Sequence, residues 1–332
     1  MIRWPAAPAR GSPEWPRIRF VPELPEVETI ARGVHDRVRA ARIVAAWFGS
    51  HTEPMKSSAA AQERLLTGAR FLSVHRVGKH IVCDLAAPRA GADAGAANAQ
   101  WIVHLGMTGR LLVTEAEAPV VEHTHARLTL EDGREIRFVD ARRFGRLEIR
   151  DLEIRDLEIR DPEIRDLEIR DPETRDLEIR DLGHPRQAQR FSGPGSEPLT
   201  IGSGEFYALF HPRRTSIKAA LLNQSLLHGV GNIYADESLF RSGIRPRTQA
   251  SRLTRAQLER LRVELRTVLE QAIALGGSSV SDYVDANGVK GFFQLEHRVY
   301  GRTGQPCRIC GTAIRRIVLA GRSTHFCSQC QR

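Results

Sequence analysis

The chain has 332 residues, 41% of them apolar, and a formal net charge of +9. This is a globular composition, and no run approaches the ~20 consecutive apolar residues of a membrane-spanning helix. A membrane-embedded protein is excluded, as is disorder for most of the chain, and the length allows two domains.

Residues 1–21 place Pro5, Pro8, Pro13 and Pro16 among Arg3, Arg10, Arg17 and Arg19. The prolines break any helix, and the arginines interrupt the continuous apolar core that a secretory signal needs. This segment reads as a disordered extension. From Pro22, the stretch PELPEVETIARGVHDRV predicts a helix, because Val27, Ile30, Val34 and Val38 recur on one face. Pro25 suits its first turn, and Glu26 and Glu28 suit its positive N-terminal end. Stretches rich in β-branched and aromatic residues follow at 42–48, 70–76, 80–85, 101–105, 111–114, 126–130 and 134–139. With turns such as Glu131-Asp132-Gly133 between them, they predict a sandwich or barrel. The Ala/Gly-rich run 86–99 is a loop, and Cys83 is a core thiol. Two turns carry Met107 (HLGMTGR) and Arg142-Arg143-Phe144 (DARRFG). Taken alone such residues are more often core, but exposed Met and Phe beside Arg also suit a wedge that fills a gap in stacked bases.

Residues 148–182 are seven tandem pentapeptides of the EIRDL type. Period five matches neither a strand nor a helix. Five-residue solenoids need a small side chain where these units put Arg155, Arg165 or Arg175, and Pro162 and Pro172 oppose regular structure. The array reads as an expanded surface insertion, which lengthens a connection at little cost. Its units contribute −7 and the extension +3, so the remaining 276 residues carry +13. A body this basic points to a polyanion such as nucleic acid.

In the second half, 215–223, 232–242 and 255–275 read as helices, the last opened by a Thr254/Gln257 capping box. In LLHGVGNIYADESLF, Gly229 and Gly231 form a turn between helices, with Asn232 placed to cap the second one and bare amides there to receive a phosphate. An ordinary interhelical turn has the same pattern. Cys307, Cys310, Cys327 and Cys330 have the C-x2-C-x16-C-x2-C spacing of a tetrahedral site for one structural zinc ion. With all four positions filled by protein, that metal has no open site for catalysis. Arg308, Arg315, Arg316, Arg322 and His325 surround it and suggest a phosphate-facing ribbon.

PELPEVE (22–28), GKH (78–80), HLGMTG (104–109), DARRFG (140–145), GVGNIYADE (229–237) and the four-cysteine ribbon occur in the order found in bacterial formamidopyrimidine-DNA glycosylases. The chain resembles that family over 22–147 and 183–332. The resemblance implies an α+β multidomain fold: an N-terminal β-sandwich with a flanking helix, a helical domain with a helix–two-turn–helix, and a zinc ribbon. The divisions expected are 1–21, an extension outside the mature protein; 22–147, the catalytic sandwich; 148–182, the repeat insertion in the linker; 183–296, the helical domain; and 297–332, the ribbon. The stretch 276–301 resembles the lesion-covering loop of the 8-oxoguanine enzymes.

The implied activity is a bifunctional DNA glycosylase and abasic-site lyase of base excision repair, acting on oxidised purines. The implied partner is double-stranded DNA containing oxidised bases or abasic sites, met by a monomeric, cytoplasmic, nucleoid-associated protein with no membrane contact. Pro22 maps to the nucleophilic amine, Glu23 to the general acid/base and Glu26 to a supporting carboxylate, although helix capping explains Glu26 as well. Lys79, His104, Asn232 and Arg322 map to phosphate binders, and Arg143 to a weaker one. Met107, Arg142 and Phe144 map to the wedge, and Lys218 to a lysine near the lesion. Two other readings stand beside this one: an endonuclease VIII-like preference for oxidised pyrimidines, and a DNA-damage binder without catalysis. The last arises because 21 residues precede Pro22. A proline nitrogen inside a chain is a tertiary amide whose lone pair is delocalised into the carbonyl, and it is no nucleophile. The expectation is that Val21 is encoded by GTG and is the true start.

Overall fold

The computed structural model describes residues 21–88, 96–115, 117–152, 190–278 and 291–332. The extension 1–20, most of the repeat array and the centre of the 276–301 loop lie outside these residues.

Helix α1 (Leu24–Val38) opens the described chain. Leu24, Val27, Ile30, Ala31, Val34 and Val38 are buried, so the predicted stripe is the packed face. Eight strands follow: β1 (Ile43–Phe48), β2 (Arg70–Val77), β3 (His80–Ala86), β4 (Ala99–His104), β5 (Arg110–Thr114), β6 (Thr124–Leu130), β7 (Glu135–Val139) and β8 (Arg146–Asp151). They form two antiparallel four-stranded sheets, ordered β1-β6-β7-β5 and β2-β3-β4-β8. Phe71, Trp101, Leu128 and Phe138 from the two sheets share one core with α1. A short helix, α2 (Ala59–Leu66), capped by Ser58, was not expected from the sequence.

β8 corrects the expected start of the insertion. Residues 148–151 belong to the first repeat unit, yet they complete an edge strand on β4, with Leu147 opposite Val103 and Ile149 opposite Trp101. In this unit the alternation of Leu147 and Ile149 with Glu148 and Arg150 is a strand pattern. The outer edge of β8 is covered as well. Leu147 exchanges backbone bonds with Pro54 and Lys56 (2.7 and 2.8 Å), and Ile149 exchanges bonds with the Ser57 hydroxyl. No bare edge is left at these positions to recruit another strand.

The chain leaves this strand and returns at one place. Gln100 lies opposite Arg150 across the β4–β8 ladder and accepts the Phe191 N–H at 2.8 Å. The Arg150 guanidinium stands 5.0 Å from the Phe191 ring centroid. The junctions on either side of residues 153–189 are therefore neighbours. Deleting 153–182 leaves seven residues to join them, enough for roughly 23 Å of extended chain. In protein beginning at Pro22, the deletion should leave the DNA cleavage that the resemblance implies within about tenfold, and it should raise stability by about 1.5 kcal/mol, from the lower closure entropy of a shorter loop. Cleavage assays and urea melts of the deletion variant check both numbers, and a larger loss of activity would refute the surface-insertion reading.

The second half holds α3 (Ser203–Phe210), which was not anticipated, α4 (Ile217–Leu222), α5 (Asn232–Arg241) and α6 (Arg255–Ala274). The expected Thr254/Gln257 capping box opens α6. Leu258, Leu261, Leu265, Val268 and Leu269 bury its stripe, which packs on α3, α5 and α1. The hairpin β9 (Arg315–Leu319) and β10 (Arg322–Phe326) forms the terminal ribbon. No helix among the described residues is long and apolar enough to cross a membrane.

Candidate active site

The site forms where the start of α1 meets the glycine turn before α5. Leu24 N–H bonds the Gly229 carbonyl at 3.0 Å, which fixes the two segments together. Glu23 is the N-cap of α1 and is 5% exposed. Its own N–H is held by Glu26 Oε2 at 2.9 Å, the return half of a capping box. Its Oε1 accepts the Ile233 N–H at 3.2 Å, so the carboxylate sits on the positive end of α5.

This corrects the sequence reading of that turn. The amide end of α5 receives Glu23, not a phosphate. Gly231 is the N-cap and Asn232 the first helical residue, so Asn232 does not cap. Its side-chain amide instead reaches Ser323 Oγ on the ribbon at 3.3 Å. The need for glycine at 231 is steric, since a Cβ there would lie 2.1 Å from Glu23 Cδ.

Glu23 has a second oxygen, Oε2, that is buried and has no partner. Burial pushes its pKa from 4.5 up to about 7, with the Glu26 charge adding to the rise and Lys79 opposing it. An acid poised near neutrality with one free oxygen is suited to general acid/base work. Lys79 stands in the turn between β2 and β3, with its pKa lowered by burial against the attraction of Glu23. Arg322 at the start of β10 adds positive charge to the same space. Pro22, next to Glu23, is buried.

Glu26 does the structural work expected of it and more. It accepts from Glu23 N–H, from Tyr234 Oη at 2.5 Å and from Ser278 N–H at 2.7 Å. It thus ties the segment bearing Pro22 to α5 and to the base of the 276–301 segment. The far side of that base is closed by Phe293 N–H on the Gly277 carbonyl at 3.0 Å. Residues 279–290, expected to cover the lesion, lie outside the described residues.

His104 ends β4, where burial and its cationic neighbours push its pKa down to about 4. Its Nδ1 accepts the Gly106 N–H at 3.2 Å, so the neutral ring carries its proton on Nε2. It can therefore offer a phosphate a hydrogen bond without a charge.

The wedge candidates lie on two loops joined by a buried residue that the sequence reading left unassigned. Asp140 accepts from Thr108 Oγ1 (2.5 Å), Arg142 N–H (3.2 Å) and Gly145 N–H (2.8 Å). It clamps HLGMTG to DARRFG. Phe144 is 47% exposed, and the Arg142 guanidinium lies 4.8 Å from its ring centroid. Met107 is half-buried on the other loop, next to Thr108, which Asp140 holds. Phe144 and Arg142 are therefore surface groups, as a wedge needs. Arg143 turns aside, with φ +56° and its guanidinium 3.0 Å from Glu53 and from His51. A phosphate would have to displace Glu53 to reach it.

Lys218 is not open to a lesion. It is fully buried, and its ammonium bonds Asp236 (2.6 Å), the Ser323 carbonyl (2.8 Å) and Thr324 Oγ1 (2.9 Å). All three donors are used to hold the ribbon on α4 and α5. His325, expected to face phosphate, is likewise buried against Asp236. Glu237, the next residue of the same helix, accepts the N–H groups of Arg298, Val299 and Tyr300 at 2.9–3.0 Å. The Asp-Glu pair of NIYADE is thus the anchor of the ribbon, a role with no signature in spacing alone.

The four Sγ atoms of Cys307, Cys310, Cys327 and Cys330 lie within 4.8 Å of one another. Cys310 and Cys327 are 3.5 Å apart, and Cys307 and Cys330 are 3.9 Å apart. A zinc ion with ~2.3 Å bonds to four thiolates sets them about 3.8 Å apart, so the cluster fits one tetrahedral metal.

Three family models match the chain: the formamidopyrimidine-DNA glycosylase N-terminal domain over 21–147, its H2TH domain over 194–284, and the zinc finger found in FPG and IleRS over 304–332. The last match, with the thiolate geometry, makes the cluster a structural zinc site. A formamidopyrimidine-DNA glycosylase from Solibacter usitatus is 38% identical over 94% of this chain and 100% of its own length. One from Desulfitobacterium hafniense is 39% identical over the same shares. Among solved structures, the wild-type Lactococcus lactis protein bound to N7-benzyl-Fapy-dG DNA superposes with a TM-score of 0.73 at 28% identity, covering 94% of this chain and 100% of that one. The same protein on an oxidised-pyrimidine DNA gives 0.71 at 29% identity, with the same coverage.

Proposed function

The chain belongs to the formamidopyrimidine-DNA glycosylase family, and from that premise we propose how its residues excise a base and cut the strand. It is a DNA glycosylase of base excision repair. With a free N-terminus, the Pro22 nitrogen attacks the sugar C1′, the bond from C1′ to the damaged base breaks, and the base leaves with that electron pair and takes up the proton that the Pro22 nitrogen sheds. Glu23 then gives its proton to the ring oxygen as the sugar opens, leaving an iminium between Pro22 and C1′. Loss of the C2′ proton expels the 3′ phosphate, and a second elimination expels the 5′ phosphate. Lys79, His104, Asn232 and Arg322 hold the phosphates around the extruded nucleotide. Phe144, Arg142 and Met107 fill the gap it leaves. The protein acts as a monomer on the DNA of the bacterial nucleoid.

The observation that carries this reading is Glu23: buried, protonated near neutrality, one oxygen free, and adjacent in sequence to Pro22. Oxidised purines are the preferred substrates. Protein beginning at Pro22 should release 8-oxoguanine from duplex DNA at least about tenfold faster, by kcat/KM, than it releases thymine glycol, a gap of about 1.4 kcal/mol. The reverse order would favour the oxidised-pyrimidine reading, for which the relative bound to oxidised-pyrimidine DNA gives a reason.

A further inference from the structure

A second basic feature lies outside the site. A cavity of about 490 Å³ is lined by Arg214, Ser216, Arg247, Thr248, Gln249 and Arg252. It forms where the segment before α4 crosses the segment after α5. The crossing is held by Ile217 N–H on the Thr248 carbonyl (2.7 Å), Ala250 N–H on Thr215 (3.0 Å) and Gln249 Nε2 on the Arg214 carbonyl (2.7 Å). The three arginines therefore project from a fixed backbone.

Some surface arginines elsewhere in the described chain are neutralised, as in the pairs Arg127–Glu135, Arg150–Glu148 and Arg262–Glu259. Among the described residues, Arg214, Arg247 and Arg252 form no ion pair, and no carboxylate lines the cavity. Three guanidinium groups around one concavity repel one another, and an anion with several oxygens relieves that repulsion with bidentate bonds.

The cavity also sits on the block that carries the ribbon. Arg245, two residues before Arg247, donates to the carbonyls of Gln331 and Ser328 at the cysteine-bearing end of the ribbon. Lys218, two residues past Ser216 of the lining, bonds the Ser323 carbonyl next to Arg322, so the same block adjoins the active site.

We propose that this cavity is a second phosphate site, which takes a backbone phosphate of the bound duplex outside the nucleotides that flank the lesion. The proposal rests on the DNA-binding reading above. The site adds affinity and register without touching the chemistry.

The test compares the full chain with its Arg214→Gln/Arg247→Gln/Arg252→Gln variant on duplexes carrying a central abasic-site analogue, one of about 30 base pairs and one of about 8. On the long duplex the variant should bind about tenfold more weakly at physiological salt, and its log K against log salt slope should be shallower by about 1. On the short duplex, which keeps only the phosphates nearest the lesion, the two proteins should agree within about twofold. Equal affinity on the long duplex overturns the proposal, and so does an equal loss on both. Inorganic tripolyphosphate that binds the full chain but not the variant, with long-duplex affinity unchanged, marks a site for small free anions and also overturns it. Failure of the unsubstituted chain to bind either duplex overturns the DNA-binding reading as well, which separates the two failures.

Discussion

Borohydride added to an abasic-site duplex should trap a covalent adduct with protein that begins at Pro22, and none with the 332-residue chain. The reduction captures the iminium, which only an amine can form. In the longer chain the Pro22 nitrogen is acylated by Val21, and its lone pair is part of the amide. The buried carboxylates, Lys79, Arg142 and Phe144 are the same in both proteins, so binding to the abasic duplex should survive in the longer one while trapping falls to background. That pattern would make the 332-residue form a binder and the Pro22 form the enzyme. Equal trapping by a longer chain whose N-terminus is verified intact by mass would contradict the assignment of Pro22. The amine to suspect then is Lys79, because its burial-lowered pKa leaves more of it unprotonated. Removing trapping with Lys79→Ala in the 332-residue chain would identify it.

The parts of this site that the sequence made legible are those with local chemistry. The α1 stripe, the α6 capping box and the cysteine spacing each follow from a few neighbouring residues. The exposed Arg142 and Phe144 and the buried Glu23 lie in the ordered motifs that carry the family resemblance. What the sequence hid depends on contacts between distant segments. Asp140 looks like any turn aspartate until Thr108 and Gly145 are brought to it. Gly231 looks like a phosphate-binding glycine until Glu23 fills its space. Lys218 looks like an active-site lysine until Asp236 and the ribbon consume its donors. α2 escaped notice because only Gln62, Leu65 and Leu66 of its eight residues are buried, too few to show a helical period. β8 was masked by the repeat itself. Its five-residue period hid a two-residue alternation that is structural in the first unit, where Trp101 and Val103 wait on the neighbouring strand.

Glu23→Gln should separate the cost of this site from its benefit. Glu23 keeps its proton up to about pH 7, whereas the unfolded chain releases it near 4.5. Between those values the native state binds more protons than the unfolded state, so this group's contribution to stability is complete below 4.5 and is lost as pH rises through 7. The loss amounts to about 3 kcal/mol at pH 8, an upper value because water entry and relaxation reduce it. Glutamine keeps an oxygen for the Ile233 N–H and has no charge to bury. In the 332-residue chain, Glu23→Gln should therefore match the parent at pH 4.5 and exceed it by up to about 3 kcal/mol at pH 8, several degrees in Tm. In protein beginning at Pro22, the same substitution should cut base excision by about 10²–10⁴-fold, since no proton donor faces the opening sugar. An alkaline fall in rate that follows loss of the Glu23 proton should vanish in the variant. Thermal melts across pH 4.5–8 beside single-turnover rates check both halves. Parallel stability curves for parent and variant would show that Glu23 is already ionised in the folded protein, and that its role as the proton donor is wrong.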